Sequence, residues 1–219
     1  MSGGAAAAAC LGGLALMGVL PLTFFRRGRL TRGWVLTASP FVLASATLLG
    51  GLAGWLEPAG WSDGAWGAVA AGAGGLLATA AAALMGYAAG SHRGPVSLWH
   101  QEEDTPETLA TRGAYRRIRH PFYTAFLLLL TGCVLAFPHV LTLVAWATGW
   151  ILLARTARRE EGRLLGSHHR KMYGAYLRET GRFVPRIRLR AGTVPQSVPN
   201  SRSVVTVRSS PGSSRVEGN

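Results

Sequence analysis

Four stretches of this chain carry no Asp, Glu, Lys or Arg: residues 5–25, 33–56, 64–90 and 121–154. A backbone built largely from such runs has few options. About 20 apolar residues in a helix span the roughly 30 Å hydrocarbon core of a bilayer. A helix also satisfies its own amides and carbonyls where no water can. Only 15% of the chain is charged and 48% is hydrophobic, against roughly 25% charged in a soluble domain. At 219 residues the chain suffices for one domain and not clearly for two. The expectation is an all-α, polytopic membrane helix bundle.

The formal net charge is +13, and Lys171 is the only lysine. A basic balance can signal nucleic acid. Here the arginines lie between and after the apolar runs, the pattern by which cytoplasmic loops orient membrane helices, so no nucleic-acid partner is expected. Arg26, Arg27, Arg29 and Arg32 follow the first run, and no basic residue precedes it, which is the wrong polarity for a cleaved signal peptide. The amino end is therefore placed outside. Glu57 and Asp63 mark an outer turn, with Trp55, Trp61 and Trp66 as interfacial anchors. Gly50 and Gly54 have the spacing that lets membrane helices approach closely, although a chain this rich in alanine and glycine produces that spacing by chance too. Residues 109–118 show no strong period and read as loop plus a short helix.

The last run, 34 residues, would make one helix about 50 Å long, too long for a single span. Pro138 lies near its middle, and a proline interrupts a helix by losing a donor and clashing with the preceding turn. Two helices in a tight hairpin follow, the second continuing past the membrane to about residue 165. About five spans result, with the carboxyl end in the cytoplasm. The organisation reads as three transmembrane helices in 1–92, a cytoplasmic segment, hairpin and cofactor-binding carboxyl-terminal helix in 93–190, and a disordered basic tail in 191–219, either solvated or lying on anionic lipid. Cys10 and Cys133 sit singly inside apolar runs and read as small buried hydrophobes. His92, His100, His139, His168 and His169 form no ligand set, and no metal is expected.

A hairpin brings its two ends together. Arg119 and His120 stand at its start, and Glu160 and Glu161 lie one or two turns beyond its end. Taken alone, that basic pair and acidic pair could be no more than an interfacial ion-pair cluster. Tyr173 and Tyr176 share one helical face, and Tyr115 and Tyr123 flank the Arg-His pair. Aromatic faces favour a cation such as a sulfonium, and tyrosines also populate interfacial belts.

The segment Gly113-Ala114-Tyr115-Arg116-Arg117-Ile118-Arg119-His120-Pro121-Phe122-Tyr123 resembles the G-x-Y-x-x-x-R-H-P-x-Y pattern of the isoprenylcysteine carboxyl methyltransferase family. Arg159-Glu160-Glu161 resembles that family's acidic pair, and Tyr173-Gly174-Ala175-Tyr176 and Val184-Pro185 resemble its Y-x-x-Y and terminal V-P elements. The likeness covers about residues 109–187. It implies a cytoplasmic S-adenosylmethionine pocket formed by Tyr115, Arg119, His120, Tyr123, Glu160, Glu161, Tyr173 and Tyr176, with Arg119 and Arg182 in catalysis. Phe183 separates Arg182 from Val184, a departure in spacing that leaves Arg178 as a competitor. The expected reaction is carboxyl O-methylation of a lipophilic, prenyl-like substrate among membrane lipids. The alternatives are N-methylation of a phospholipid or small amine, an NADPH-dependent sterol-type reductase, and a non-enzymatic membrane scaffold. Such reductases place a glycine-aspartate pair after the tyrosine; Thr124-Ala125-Phe126 stand here instead.

Overall fold

The computed structural model describes residues 3–24, 32–60, 64–91, 110–167 and 169–186. They form α1 (Gly3–Phe24), α2 (Arg32–Leu52), α3 (Gly64–Gly90), α4 (Pro121–Ala136), α5 (Val140–Gly166) and α6 (Arg170–Glu179), with one 3-10 turn at Gly113–Arg116. Among the described residues the architecture is all-helical, as the apolar runs require. Three helices are long and apolar enough to cross a membrane, Val35–Leu52, Gly64–Gly90 and Val140–Gly166; Gly3–Val19 and Pro121–Ala136 are apolar but shorter. Arg26, Arg27, Arg29, Trp61, Asp63, His92, His100, His168 and the tail 191–219 lie outside the described residues. Trp55 and Trp66, on either side of the loop between α2 and α3, are strongly exposed.

The hairpin turns at Phe137-Pro138-His139, and hydrogen bonds hold the turn. The His139 ring accepts from the Leu141 amide at 3.1 Å, and Thr142 Oγ1 accepts from the His139 amide while donating to the Phe137 carbonyl at 2.9 Å. These bonds cap the start of α5, whose first amides have no helical partner. Deeper in the hairpin, Trp146 Nε1 donates to Thr131 Oγ1 at 3.0 Å and ties α5 to α4.

The alanine and glycine richness of α3 has a packing purpose. A β-carbon on Gly74 would sit 2.7 Å from the Gly132 carbonyl oxygen, and one on Gly132 would sit 2.8 Å from the Gly74 carbonyl oxygen. The two backbones touch, which only residues without side chains permit. Ala71, Ala78, Ala81 and Ala136 extend the contact, and Leu129 and Leu130 of α4 are fully buried beside it. Cys10 and Cys133 are both free and buried in this core. The small-residue contact thus falls at Gly74 and Gly132, and the Gly50 and Gly54 spacing serves another end. Gly54 instead ends α2. It adopts φ +74°, its amide donates to the Gly51 carbonyl, and the Trp55 amide donates to the Gly50 carbonyl at 2.8 Å, the paired bonds of a glycine-terminated helix.

Two bonds show which loops share an end of the bundle. The Ala59 amide donates to the Pro138 carbonyl at 2.7 Å, joining the α2–α3 loop to the hairpin turn. At the opposite end Ser91 Oγ accepts from the Ala114 amide at 3.1 Å, placing the 3-10 turn under the close of α3.

Candidate functional site at the polar end of the hairpin

α4 begins at Pro121, a residue suited to a first helical turn because its missing amide hydrogen would have had no partner there. α5 runs antiparallel to α4 and carries Glu160 and Glu161 back past that start. Chain segment 117–120 is then locked from the side. The Gly181 amide donates to the Arg117 carbonyl, the Arg119 amide to the Gly181 carbonyl at 2.8 Å, and the His120 amide to the Arg182 carbonyl at 3.1 Å. Thr124 Oγ1 donates to the Phe183 carbonyl at 2.7 Å. This short parallel pairing delivers Arg182 to the same place.

Glu161 is the hub. Its carboxylate accepts from Arg119 Nε at 2.9 Å and from Arg182 Nε at 3.1 Å, lies 3.2 Å from His120 Nε2, and pairs with Arg182 Nη2 as well. His120 Nδ1 faces Glu160 at 3.4 Å, and Tyr123 Oη donates to Glu160 Oε1 at 2.6 Å. The His120 and Tyr123 rings are stacked, 3° from parallel with centroids 5.2 Å apart.

Arg119 does more than pair with Glu161. Its Nη1 donates to the Thr180 carbonyl and, at 3.4 Å, to the Leu177 carbonyl. These oxygens belong to the last turn of α6 and to Thr180, which caps it, where carbonyls lack helical donors and the helix dipole is negative. Arg119 therefore fastens α6 to the hairpin. Tyr176 Oη donates to the Tyr115 carbonyl at 2.5 Å, a second clasp between α6 and the 3-10 turn. Tyr173 is buried with its ring centroid 5.9 Å from that of Tyr176.

Both ring nitrogens of His120 face carboxylate oxygens, an arrangement that only the doubly protonated ring satisfies as a donor. Burial by itself would lower the His120 pKa, but the hydrogen bonds and charges of Glu160 and Glu161 outweigh it and raise it above the usual 6.5. The stability this confers is full below about pH 6.5 and is lost as pH rises through the raised value. Thermal unfolding of the wild type should accordingly weaken across that window, and His120→Gln should flatten the dependence; equal pH slopes in the two proteins would remove the imidazolium from the cluster. Burial also raises Tyr176 to about 12 and pushes Tyr115 and Tyr173 above the ordinary tyrosine range. All three are therefore protonated at neutral pH.

The cluster is closed on one side and open on the other. The side chains of Glu161, Arg119 and His120 are 8%, 10% and 10% exposed, whereas those of Glu160 and Arg182 are 33% and 34% exposed. A part-exposed carboxylate and a part-exposed guanidinium on one cluster can meet a ligand carrying both an ammonium and a carboxylate. Of the two competing arginines, the structure brings Arg182 to Glu161 and leaves Arg178 exposed on α6. Among the described residues, no three His, Cys, Asp or Glu side chains are grouped to hold a metal ion.

The chain matches no family model, no curated protein and no solved structure.

Sequence reasoning missed Thr124, Thr180 and Phe183. Thr124 carries the hydroxyl that holds the 181–185 strap, and Phe183 packs against Trp150 and His120. A threonine in the first turn of an apolar helix, one turn after a histidine, was the available signal. Thr124→Val keeps the shape and removes that bond. We expect it to lower stability by about 1 kcal/mol and to speed proteolytic cleavage after Arg182; cleavage as slow as in wild type would show the strap is held otherwise.

Proposed function

We propose that this chain is a five-span integral membrane protein, amino end outside and carboxyl end cytoplasmic, that methylates the carboxylate of a lipophilic substrate using S-adenosylmethionine. The observation that carries the reading is convergence. The residues through which the sequence resembles isoprenylcysteine carboxyl methyltransferases are scattered from 115 to 182, and Arg119, His120, Tyr123, Glu160, Glu161 and Arg182 meet in one hydrogen-bonded cluster.

When bound, S-adenosylmethionine supplies a methyl group already activated on a sulfonium. The chain's own residues have three tasks. Glu160 offers an exposed carboxylate toward an ammonium, and the stacked His120 and Tyr123 hold that carboxylate in place. Arg182 offers its remaining N–H groups to the acceptor carboxylate, which is ionised at neutral pH and needs no general base. Glu161 shares the Arg182 charge, which matters because a full-strength clamp would hold back a nucleophile that loses charge in the transition state. Alignment of oxygen, methyl carbon and sulfur is then the main catalytic contribution, and it is worth several kcal/mol. Arg119, committed to Glu161 and α6, keeps Arg182 and Glu160 at a fixed spacing.

Glu160 favours a second reading, N-methylation, since an exposed carboxylate could also steady an amine acceptor. Calorimetric titration of the purified protein with S-adenosylmethionine, and separately with NADPH, tests the class. Binding of the methyl donor alone is expected, with Glu160→Gln weakening it by about tenfold or more. Arg182→Gln should chiefly raise KM for a carboxylate acceptor, and an effect confined to amine acceptors would favour the second reading. A folded sample that ignores S-adenosylmethionine would end both.

A further inference from the structure

Beyond the candidate site, α5 carries four arginines that none of the cluster's ion pairs use: Arg155, Arg158, Arg159 and Arg163. All are exposed, and among the described residues no ion pair includes them. Their placement around the helix is not random. At 100° per residue, Arg155 and Arg158 fall within about 60° of Val140, Val144 and Ile151. Those three apolar residues are 65%, 43% and 51% exposed, and Leu143 and Trp150, 52% and 37% exposed, widen the same face on the side away from Arg155; together they form the face that α5 turns toward acyl chains, with Arg158 on it and Arg155 at its edge. The lipid-facing stripe of α5 thus runs directly into arginine. Arg159 and Arg163 widen the basic face on one side; Glu161 borders it on the other, about 60° from Arg158, and its carboxylate is taken up by Arg119 and Arg182.

The axial spacing suits the headgroup layer. The apolar stretch ends at Ala154. Arg155, Arg158 and Arg159 follow within about 8 Å along the axis at 1.5 Å per residue, and the headgroup region of one leaflet is about 5–8 Å deep. Long arginine side chains reach back toward an interface from slightly beyond it. From charge, exposure and register together, we infer that Arg155, Arg158 and Arg159 form a binding surface for the phosphate groups of anionic lipids in the adjoining leaflet. It clamps the extension of α5 that bears Glu160 and Glu161. This inference rests on α5 crossing the membrane and not on the methyl-transfer reading.

Native mass spectrometry of protein released from nanodiscs of phosphatidylcholine mixed with phosphatidylglycerol tests it. Each basic side chain near an anionic surface contributes about fivefold in partitioning. The wild type should therefore retain phosphatidylglycerol over phosphatidylcholine by at least about tenfold. The triple variant R155Q/R158Q/R159Q should lose that preference, R155K/R158K/R159K should keep most of it, and R170Q/R178Q, which removes exposed charge from α6, should leave it intact. Should the glutamine triple variant fail to fold, R158Q alone is expected to lower the preference several-fold. No preference in the wild type, or an undiminished one in a folded glutamine variant, overturns the proposal. So does elimination of the preference by inorganic phosphate, which would mark the surface as one for soluble anions. Loss of S-adenosylmethionine binding with lipid preference intact would leave this inference standing and the proposed activity fallen.

Discussion

Glu161→Ala is expected to cost about 3 kcal/mol or more of folding stability, the largest effect of any side chain in the polar cluster. Removing one partner of a buried ion pair leaves the other charge desolvated and unpaired, a loss of roughly 3–5 kcal/mol. Glu161 is only 8% exposed and serves Arg119, His120 and Arg182 together. Arg182 can turn to water after the substitution because it is partly exposed, whereas Arg119 cannot. For a chain of this size each kcal/mol moves the melting temperature by about 2–4 °C, so a drop of roughly 6–12 °C should appear in intrinsic-fluorescence melting. Glu161→Gln should fall between the two proteins, since it keeps a hydrogen-bond acceptor but not the charge. A melting temperature within about 2 °C of wild type for the alanine variant would show that the cluster holds nothing together.

Gly74→Val should be more severe still, because nothing nearby can yield. The added β-carbon meets the Gly132 carbonyl oxygen at 2.7 Å, the Ala136 amide nitrogen at 2.8 Å and the Ala136 α-carbon at 3.2 Å. All three are backbone atoms of α4, so relief requires α3 and α4 to separate. That places the cost at the upper end of overpacking, about 3 kcal/mol or beyond. It also displaces α4, whose first turn carries the candidate site. Loss of monodisperse protein on detergent extraction is the expected readout. Gly72→Ala is the control: a β-carbon there meets nothing within 4 Å, and helix propensity alone should make it neutral or slightly favourable. Wild-type behaviour of Gly74→Val would disprove the backbone contact between α3 and α4.

Much of the fold is legible in the sequence. The helices follow the charge-free runs because a run without ionisable groups that must satisfy its own backbone has one economical conformation. The hairpin was legible from Pro138, whose ring cannot continue a helix, and so was the meeting of Arg119 and His120 with Glu160 and Glu161, since a hairpin of known turn position fixes which residues come level. The helix contact was not. Gly50 and Gly54 had the same spacing that marks a close approach elsewhere, and one of them proved to be a helix terminator with positive φ. Glycine spacing records permission to approach, not the neighbour that accepts it.

The site divides in the same way. Residue types and hairpin order placed a basic pair opposite an acidic pair, and the family resemblance assigned them a cofactor. Neither could separate Arg182 from Arg178, four residues apart on a connection of unusual length. That choice is made by the Arg117–Gly181 pairing and the Thr124 bond to Phe183, long-range contacts with no local signature. Nor could the sequence distinguish buried members of the cluster from exposed ones. By itself it determined which segments are helical, where the long apolar run folds back and which charges face each other, because those follow from periodicity, proline chemistry and the cost of burying charge. Only the tertiary structure decided that Glu161 is the shared hub, that Arg119 is spent on the end of α6, and that Glu160 and Arg182 keep open surface, because burial depends on which segment covers which.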